Sequence, residues 1–151
     1  MKIHIGSDHA GLELKNALVQ YLESQGHIVT DHGPHEYDAL DDYPDFCIPA
    51  AIATVKDASS LGIVLGGSGN GEQIAANKVK GVRAALAWSV ETAKLAKEHN
   101  NANVVGIGGR MHSIDECKAI IDAFIETPFT NDERHVRRIN KISTFENTSN
   151  Q

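Results

Sequence analysis

The sequence predicts an α/β fold, a five-stranded parallel sheet with helices on both faces, and three observations carry that reading. Short apolar runs alternate with longer stretches of helical periodicity through most of the chain. Turn signals rich in glycine and polar residues follow several of the runs, at 6–11, 66–72 and 106–110. No internal repeat or linker interrupts the alternation, and 151 residues suit one domain whose core needs no covalent staple. Alternation of this kind marks βαβ units with a sheet covered on both sides.

The elements follow in order. Lys2-Ile3-His4-Ile5-Gly6 reads as a first strand, Ser7 to Gly11 as its turn, and Leu12 to Gln25 as a helix with Leu14, Leu18, Tyr21 and Leu22 on one face; Gly26 ends it. His27 to Asp31 reads as a second strand. The polar loop His32 to Asp42 is expected to be exposed. Pro44 suits a first helical turn, and Phe46, Ile48, Ala51, Ile52 and Val55 give the second helix its apolar stripe. Leu61 to Leu65 is the central strand, followed by a glycine turn and a helix expected to end near Gly81. Val82 to Trp88 is a fourth strand. Ser89 is an N-cap for a helix to His99, with Glu91 only approximating a capping box. Val104 to Ile107 makes a fifth strand, and Ser113 with Glu116 forms a capping box for a helix to Ile125. Beyond Pro128 a polar, basic helix, about 130–145, is extra to the pattern, and 146–151 reads as a frayed tail. The whole reads as a single Rossmann-like three-layer domain over 1–151.

Composition excludes several classes of function. A formal net charge of -6 and a pI near 5.7 argue against nucleic acid as the main partner. No apolar run approaches membrane-spanning length, and Met1-Lys2 leads directly into a strand rather than a signal peptide, so a cytoplasmic protein is expected. Cys47 and Cys117 lie in apolar helical contexts, read as buried small hydrophobes, and show no pairing motif. The histidines are scattered without metal-ligand spacing, so no metal is expected.

The densest signal is Leu65-Gly66-Gly67-Ser68-Gly69-Asn70-Gly71-Glu72, a strand running into a helix through four glycines. Glycine lets the backbone take positive φ and approach a ligand, and the first N–H groups of the next helix are free for an anion. The dinucleotide fingerprint fails, because Glu72 or Ile74 stands where its last glycine belongs, and in the second cluster Met111 does. The ATP-binding phosphate loop is absent as well. Glu72 suits either a general base beside a bound anion or a first-turn partner of the helix dipole. Asp8-His9 reads either as a ligand-holding pair or as a cap with an exposed histidine, and His99 by itself reads as a cation at a helix C-terminus. Arg110, after a double glycine, suits phosphate oxygens. Because ligands in such folds bind beyond the carboxyl ends of the strands, Asp8-His9, the loop 66–72, His99-Asn100 and Gly108-Gly109-Arg110 are expected to gather at one edge.

Taken together, Asp8-His9-Ala10-Gly11, Gly66 to Glu72, Ala75-Ala76-Asn77-Lys78, Glu98 to Asn103, Gly108-Gly109-Arg110 and the basic cluster Arg134 to Arg138 resemble type B ribose-5-phosphate isomerase, from Met1 to about Phe145. The resemblance implies interconversion of ribose 5-phosphate and ribulose 5-phosphate in the pentose phosphate pathway, without metal or cofactor. That family also includes isomerases of other aldose phosphates, such as galactose 6-phosphate, so the reaction is implied more firmly than the sugar. Glu72 would be the base that moves a proton between C1 and C2. His99 would assist ring opening, with Asn100 holding a ring or chain oxygen. Asp8 and His9 would contact the substrate, and the amides of Gly67, Ser68, Gly69, Asn70 and Gly71 would face the developing enediolate, with Ser68 beside the reacting oxygens. Arg110, Arg134 and Arg138 would bind phosphate, the last two from the second subunit of a homodimer with shared active sites. Many relatives carry a catalytic Cys where this chain has Gly66 and lack a carboxylate at Glu72; this chain resembles the branch in which glutamate replaces the thiolate. The rival from another class is a non-catalytic module that senses a sugar phosphate or nucleotide, against which a carboxylate beside an anion site argues.

Overall fold

The computed structural model describes residues 1–148, and its five strands form one parallel sheet in the order β2-β1-β3-β5-β4. The strands are β1 (Lys2–Gly6), β2 (Ile28–Asp31), β3 (Ser60–Gly66), β4 (Ala84–Leu86) and β5 (Val104–Gly108). The helices are α1 (Leu12–Ser24), α2 (Pro44–Lys56), α3 (Asn70–Ala76), α4 (Val90–Asn100), α5 (Ile114–Glu126) and α6 (Glu133–Thr148). Strand side chains alternate between the two faces. Ile3, Ile5, Leu61, Ile63, Leu65, Val105 and Ile107 pack with Leu18 and Leu22 of α1, Ala93 and Ala96 of α4, and Ile120, Ile121 and Phe124 of α5. Val64 and Val104 face the other way, against Cys47 and Ala51 of α2 and Ala76 of α3. Every residue of β3 and β5 is buried, which is why both read as uninterrupted apolar runs. Among the described residues no helix is long and apolar enough to cross a membrane.

The strand order supplies what the sequence left open. From β1 the chain turns outward to β2, whereas from β3 it leaves in the opposite direction, so the connections diverge between β1 and β3. A parallel sheet opens a crevice at such a point, beyond the carboxyl ends of the two strands. A polar tie fixes the loops there: the fully buried Lys15 ammonium pairs with the Asp31 carboxylate, Asp31 Oδ1 accepts from Gly33 N at 2.8 Å, and Gly33 O accepts from Ser7 N at 2.9 Å. Removing one partner would leave a buried uncompensated charge, a loss of about 3–5 kcal/mol.

Four local expectations are corrected. The helix after the glycine turn ends at Ala76 rather than near Gly81, because Asn77 turns its side chain across to β4, accepting from Ala84 N and donating to Ala84 O, both at 2.9 Å. β4 is shorter than Val82 to Trp88, since the Trp88 N–H is taken by Thr92 Oγ1 at 3.1 Å as the chain enters α4. The capping box of α4 pairs Ser89 with Thr92, not Glu91, because position 92 is the third of the helix and its hydroxyl accepts from Ser89 N at 3.0 Å. The last helix runs on to Thr148 instead of about Phe145, so part of the expected tail at 146–151 is helical; 149–151 lie outside the described residues. The box at Ser113 and Glu116 forms as expected and contributes about 1 kcal/mol.

His4 and His32, on β1 and just after β2, place Nδ1 and Nε2 3.1 Å apart. Burial lowers both pKa values, and the neighbouring ring lowers that of His32 further. His135 is lowered too, by burial first and then by His99 and Arg134. A histidine depressed below its unfolded value of about 6.5 binds fewer protons folded than unfolded, so its stability is complete above that pH and is lost as pH falls through the folded value. The urea midpoint is therefore expected to hold from pH 8 to 7 and to drop between about pH 6.5 and 5. The double variant His4→Asn, His32→Asn should flatten that drop, with His135 keeping the remainder; a parental slope would place the loss elsewhere.

Candidate active site

Beyond the carboxyl ends of β1, β3 and β5 lies a cleft of about 530 Å³ lined by Asp8, His9, Tyr43, Gly67, Ser68, Gly71, Glu72, Arg110 and Met111. Each strand delivers its own set. After β1, Ser7 leads to Asp8, whose Oδ1 accepts from Ala10 N at 2.9 Å and Gly11 N at 3.2 Å, capping a short 3₁₀ turn over His9–Gly11. The two readings of Asp8-His9 therefore merge, since the cap also lines the cleft. After β3, Gly69 takes φ +81° as the residue before α3, a conformation that glycine adopts without cost. After β5, the turn is sewn to the glycine loop through Gly109 N to Gly66 O at 2.7 Å and Arg110 N to Gly67 O at 3.1 Å. The Arg110 side chain runs over Gly67, leaving 3.5 Å between its Nη1 and the place a Cβ would take there.

Glu72 is the centre of the cleft and is only 4% exposed. Its carboxylate fills the space beside Gly66: a Cβ on residue 66 would stand 1.8 Å from Oε1 and 2.2 Å from the carboxyl carbon. Burial raises the Glu72 pKa above the ordinary carboxylate value, its own main-chain N–H lowers it in part, and the charge of Asp8 raises it. A carboxylic acid tuned upward in this way can take a proton and return it. Glu72 also stands in the first turn of α3, where its carboxylate complements the helix dipole. Cys47 is fully buried, and burial followed by the charges of Glu72 and Asp8 pushes its thiol far up; burial raises Cys117 to about 11. Both behave as the small hydrophobes expected. Of the loop amides, Asn70 N is spent on Ser68 Oγ at 3.3 Å, a correction to the expectation that all five face a ligand.

His99 and Asn100 are not in this cleft, which overturns the expectation of a single edge. A crossover helix runs antiparallel to the strands it joins, so the last residues of α4 return to the amino end of β5. There the His99 ring stacks on His135 of α6, with centroids 4.4 Å apart at 15°. Arg134 and Arg138 flank His135 and are exposed, while the intervening Arg137 is paired with Glu133 at 2.8 Å. The chain thus carries two groups of polar residues at opposite edges of one sheet.

One residue of the cleft and one behind it were missed. Tyr43 lies so close over Gly71 that a Cβ there would sit 2.6 Å from its ring. Asp41, expected to be exposed, has a side chain only 8% exposed that holds His9 through its main-chain N–H at 3.0 Å and its ring Nδ1 at 2.6 Å. A usable signal existed, because the loop 32–43 also leaves the carboxyl end of a strand. Asp8, His9 and Asp41 bring donor atoms within 4.8 Å of one another, a spacing that suits a cation, but the hydrogen bonds above already engage one oxygen of each carboxylate.

Residues 3–142 match the family model described as Ribose/Galactose Isomerase. Ribose-5-phosphate isomerase B of Mycolicibacterium paratuberculosis is 62% identical over 148 residues, covering 98% of this chain and 93% of that protein. The crystal structure of ribose-5-phosphate isomerase B from Mycoplasma genitalium with bound ribulose-5-phosphate superposes with a TM-score of 0.94 at 44% identity, over 98% of this chain and 97% of that one. The Clostridium thermocellum ribose-5-phosphate isomerase B structure gives 0.93 at 39%, over 97% and 98%.

The contact between residues 66 and 72 makes a measurable claim about Glu72. In Gly66→Ala the new methyl needs the volume of the carboxyl group, so Glu72 is expected to swing toward water. Its carboxyl carbon, followed by NMR, should then titrate closer to the ordinary value for glutamate. A titration unchanged from the parent would mean that the methyl fits without moving the carboxylate.

Proposed function

The chain belongs to the ribose/galactose isomerase family, and on that premise we propose that it interconverts ribose 5-phosphate and ribulose 5-phosphate, as a cytoplasmic homodimer with shared active sites. The observation that carries the reading is the buried, upward-tuned carboxylate of Glu72 at the divergence of β1 and β3. Moving a proton between C1 and C2 of an aldose leaves charge on oxygen as an enediolate, and the base must hand the same proton back. Glu72 serves as that base. Gly67, Gly69 and Gly71 bring main-chain N–H groups toward the developing charge, and Ser68 stands beside the reacting oxygens. Asp8 and His9 hold the sugar, and Arg110 takes the phosphate. A module built only to bind an anion gains nothing from a buried carboxylate that repels it.

The remaining residues argue for a second subunit. Helix α4 carries the chain about 15 Å from Val90 to Asn100, from the carboxyl edge of the sheet to its amino edge, so one small substrate cannot touch Glu72 and His99 of the same chain. In the proposed dimer His99 and Asn100 of one chain, with Arg134 and Arg138, complete the cleft of the other, His99 assisting ring opening and the arginines sharing the phosphate with Arg110. Helix α6 is suited to reach across, because it is mostly exposed, with Ile142 56% and Phe145 65% accessible. The family description names galactose beside ribose, and a relative from Clostridium acetobutylicum, 43% identical over 129 residues, is a galactose-6-phosphate isomerase subunit, so galactose 6-phosphate stays open as a second sugar. Comparing turnover of five-carbon and six-carbon substrates, with product identified by NMR, decides between them.

Glu72→Gln should lower kcat for ribose 5-phosphate by at least about 100-fold while the protein folds normally. Its stability near pH 7 should rise, for a carboxyl whose folded pKa is raised stabilises only below its unfolded value and loses that contribution as pH rises through the folded one. A loss in kcat of less than about tenfold would remove Glu72 from proton transfer.

The shared site can be read from mixed dimers. Glu72→Gln and Arg134→Ala are each expected to be inactive, yet refolding them together puts both defects in one cleft and neither in the other. Random pairing should then restore about a quarter of parental activity. Background activity, with mixed dimers shown to form, would mean that Arg134 serves its own chain.

A further inference from the structure

The proposed chemistry leaves one buried carboxylate behind the cleft unused. Asp41 comes from the loop after β2, and its Oδ1 accepts from the His9 main-chain N–H at 3.0 Å and lies 2.6 Å from His9 Nδ1. Its Oδ2 is buried and has no hydrogen-bond partner among the described residues. The ring of His9 is 25% exposed, lines the cleft, and meets the edge of Tyr37 at 6.0 Å and 88°. An ionised carboxylate can only accept, so the Nδ1 that faces it carries the proton in the neutral and the charged ring alike. In the neutral ring Nε2 is then the lone-pair atom. Which nitrogen of a histidine is protonated is set by the hydrogen bond its other nitrogen makes, and an acid behind the ring also fixes its rotation.

We propose that Asp41 is a positioning residue that sets the tautomer and rotation of His9, so that Nε2 is the ring atom offered to the oxygens of the bound sugar phosphate. The proposal rests on reading the cleft as a sugar-phosphate site. The alternative is that Asp41 only tethers its loop to the backbone at His9, for which the main-chain bond alone suffices and the short bond to the ring is superfluous.

Asp41→Asn separates the two, because the amide oxygen still accepts from the main chain while the charge behind the ring is gone. The first measurement uses the unliganded full chain in alkaline buffer. Ring ¹⁵N shifts of His9, assigned by their disappearance in His9→Gln, are expected to report Nδ1–H in the parent and a shift toward Nε2–H in Asp41→Asn. The second measures kcat/KM for ribose 5-phosphate, which should fall about tenfold in Asp41→Asn and by less than about twofold when the same change is made in His9→Gln, since two residues acting through one contact are not additive. An unchanged tautomer overturns the proposal, as does an equal fall in both backgrounds, or a changed tautomer with unchanged turnover. If Asp41→Asn does not fold, Asp41→Ala is read by the same two measurements. If the parent itself does not convert ribose 5-phosphate, the functional reading fails and the tautomer measurement alone decides the role of Asp41.

Discussion

A carboxylate and a missing Cβ share one volume in this protein. Glu72 reaches back from α3 into the space that any side chain on Gly66 would need, at the end of the fully buried central strand. The rest of the cleft is arranged around that fit. Strand β3 is central because β1 and β5 cover its two edges, and the turns after those neighbours, Asp8-His9 and Gly109-Arg110, are hydrogen-bonded or packed so that they face the same carboxylate. The raised affinity of Glu72 for a proton follows from the same fit, because the pocket that excludes a side chain also excludes water.

The crossover geometry that builds the cleft also separates the residues proposed to share one site. Helices α3 and α4 flank β4 and run against the strands, so one begins at the carboxyl edge with Glu72 and the other ends at the amino edge with His99. A chain folded this way cannot bring its own His99 to its own Glu72 without unwinding a helix. In the proposed dimer a two-fold axis would bring the two kinds of edge together without distorting either, each chain giving and receiving one half. The stack of His99 on His135 then has a structural meaning, since it locks the end of α4 to the helix that carries Arg134 and Arg138.

How much of this was legible in the sequence depended on the range of the interactions. Buried parallel strands such as Leu61 to Leu65 and Val104 to Ile107 announce themselves, because both faces are covered and every position is apolar. Local caps such as Ser113 with Glu116 are equally visible. The extent of β4 and the end of α3 were not, because both are decided by Asn77 reaching Ala84 across a turn and by Thr92 turning back on Trp88. In the site, the glycine run and Glu72 stood out through local composition, and the strand-end rule found Asp8, His9 and Arg110. The same rule misplaced His99 and Asn100, since it speaks of strand ends and these close a returning helix. Asp41 looked like part of a solvated loop, and Tyr43, just beyond it, carried no signal; the first is held by His9, and the second packs over Gly71 and against the core beneath α2.

The two cysteines carry a further consequence. Neither thiol reaches the surface, and both are held far above the pH at which a thiolate would accumulate, Cys117 at about 11 and Cys47 higher still. Peroxides and electrophiles attack the thiolate, and a carboxylate has no rung on that oxidation ladder. With Glu72 filling the space beside Gly66, the cleft lining holds no thiol for such reagents to modify, and its one oxidisable sulfur is the thioether of Met111. If Glu72 is the base, as proposed, the proton-transfer group itself would be insensitive to oxidants that convert a thiolate to sulfenic acid.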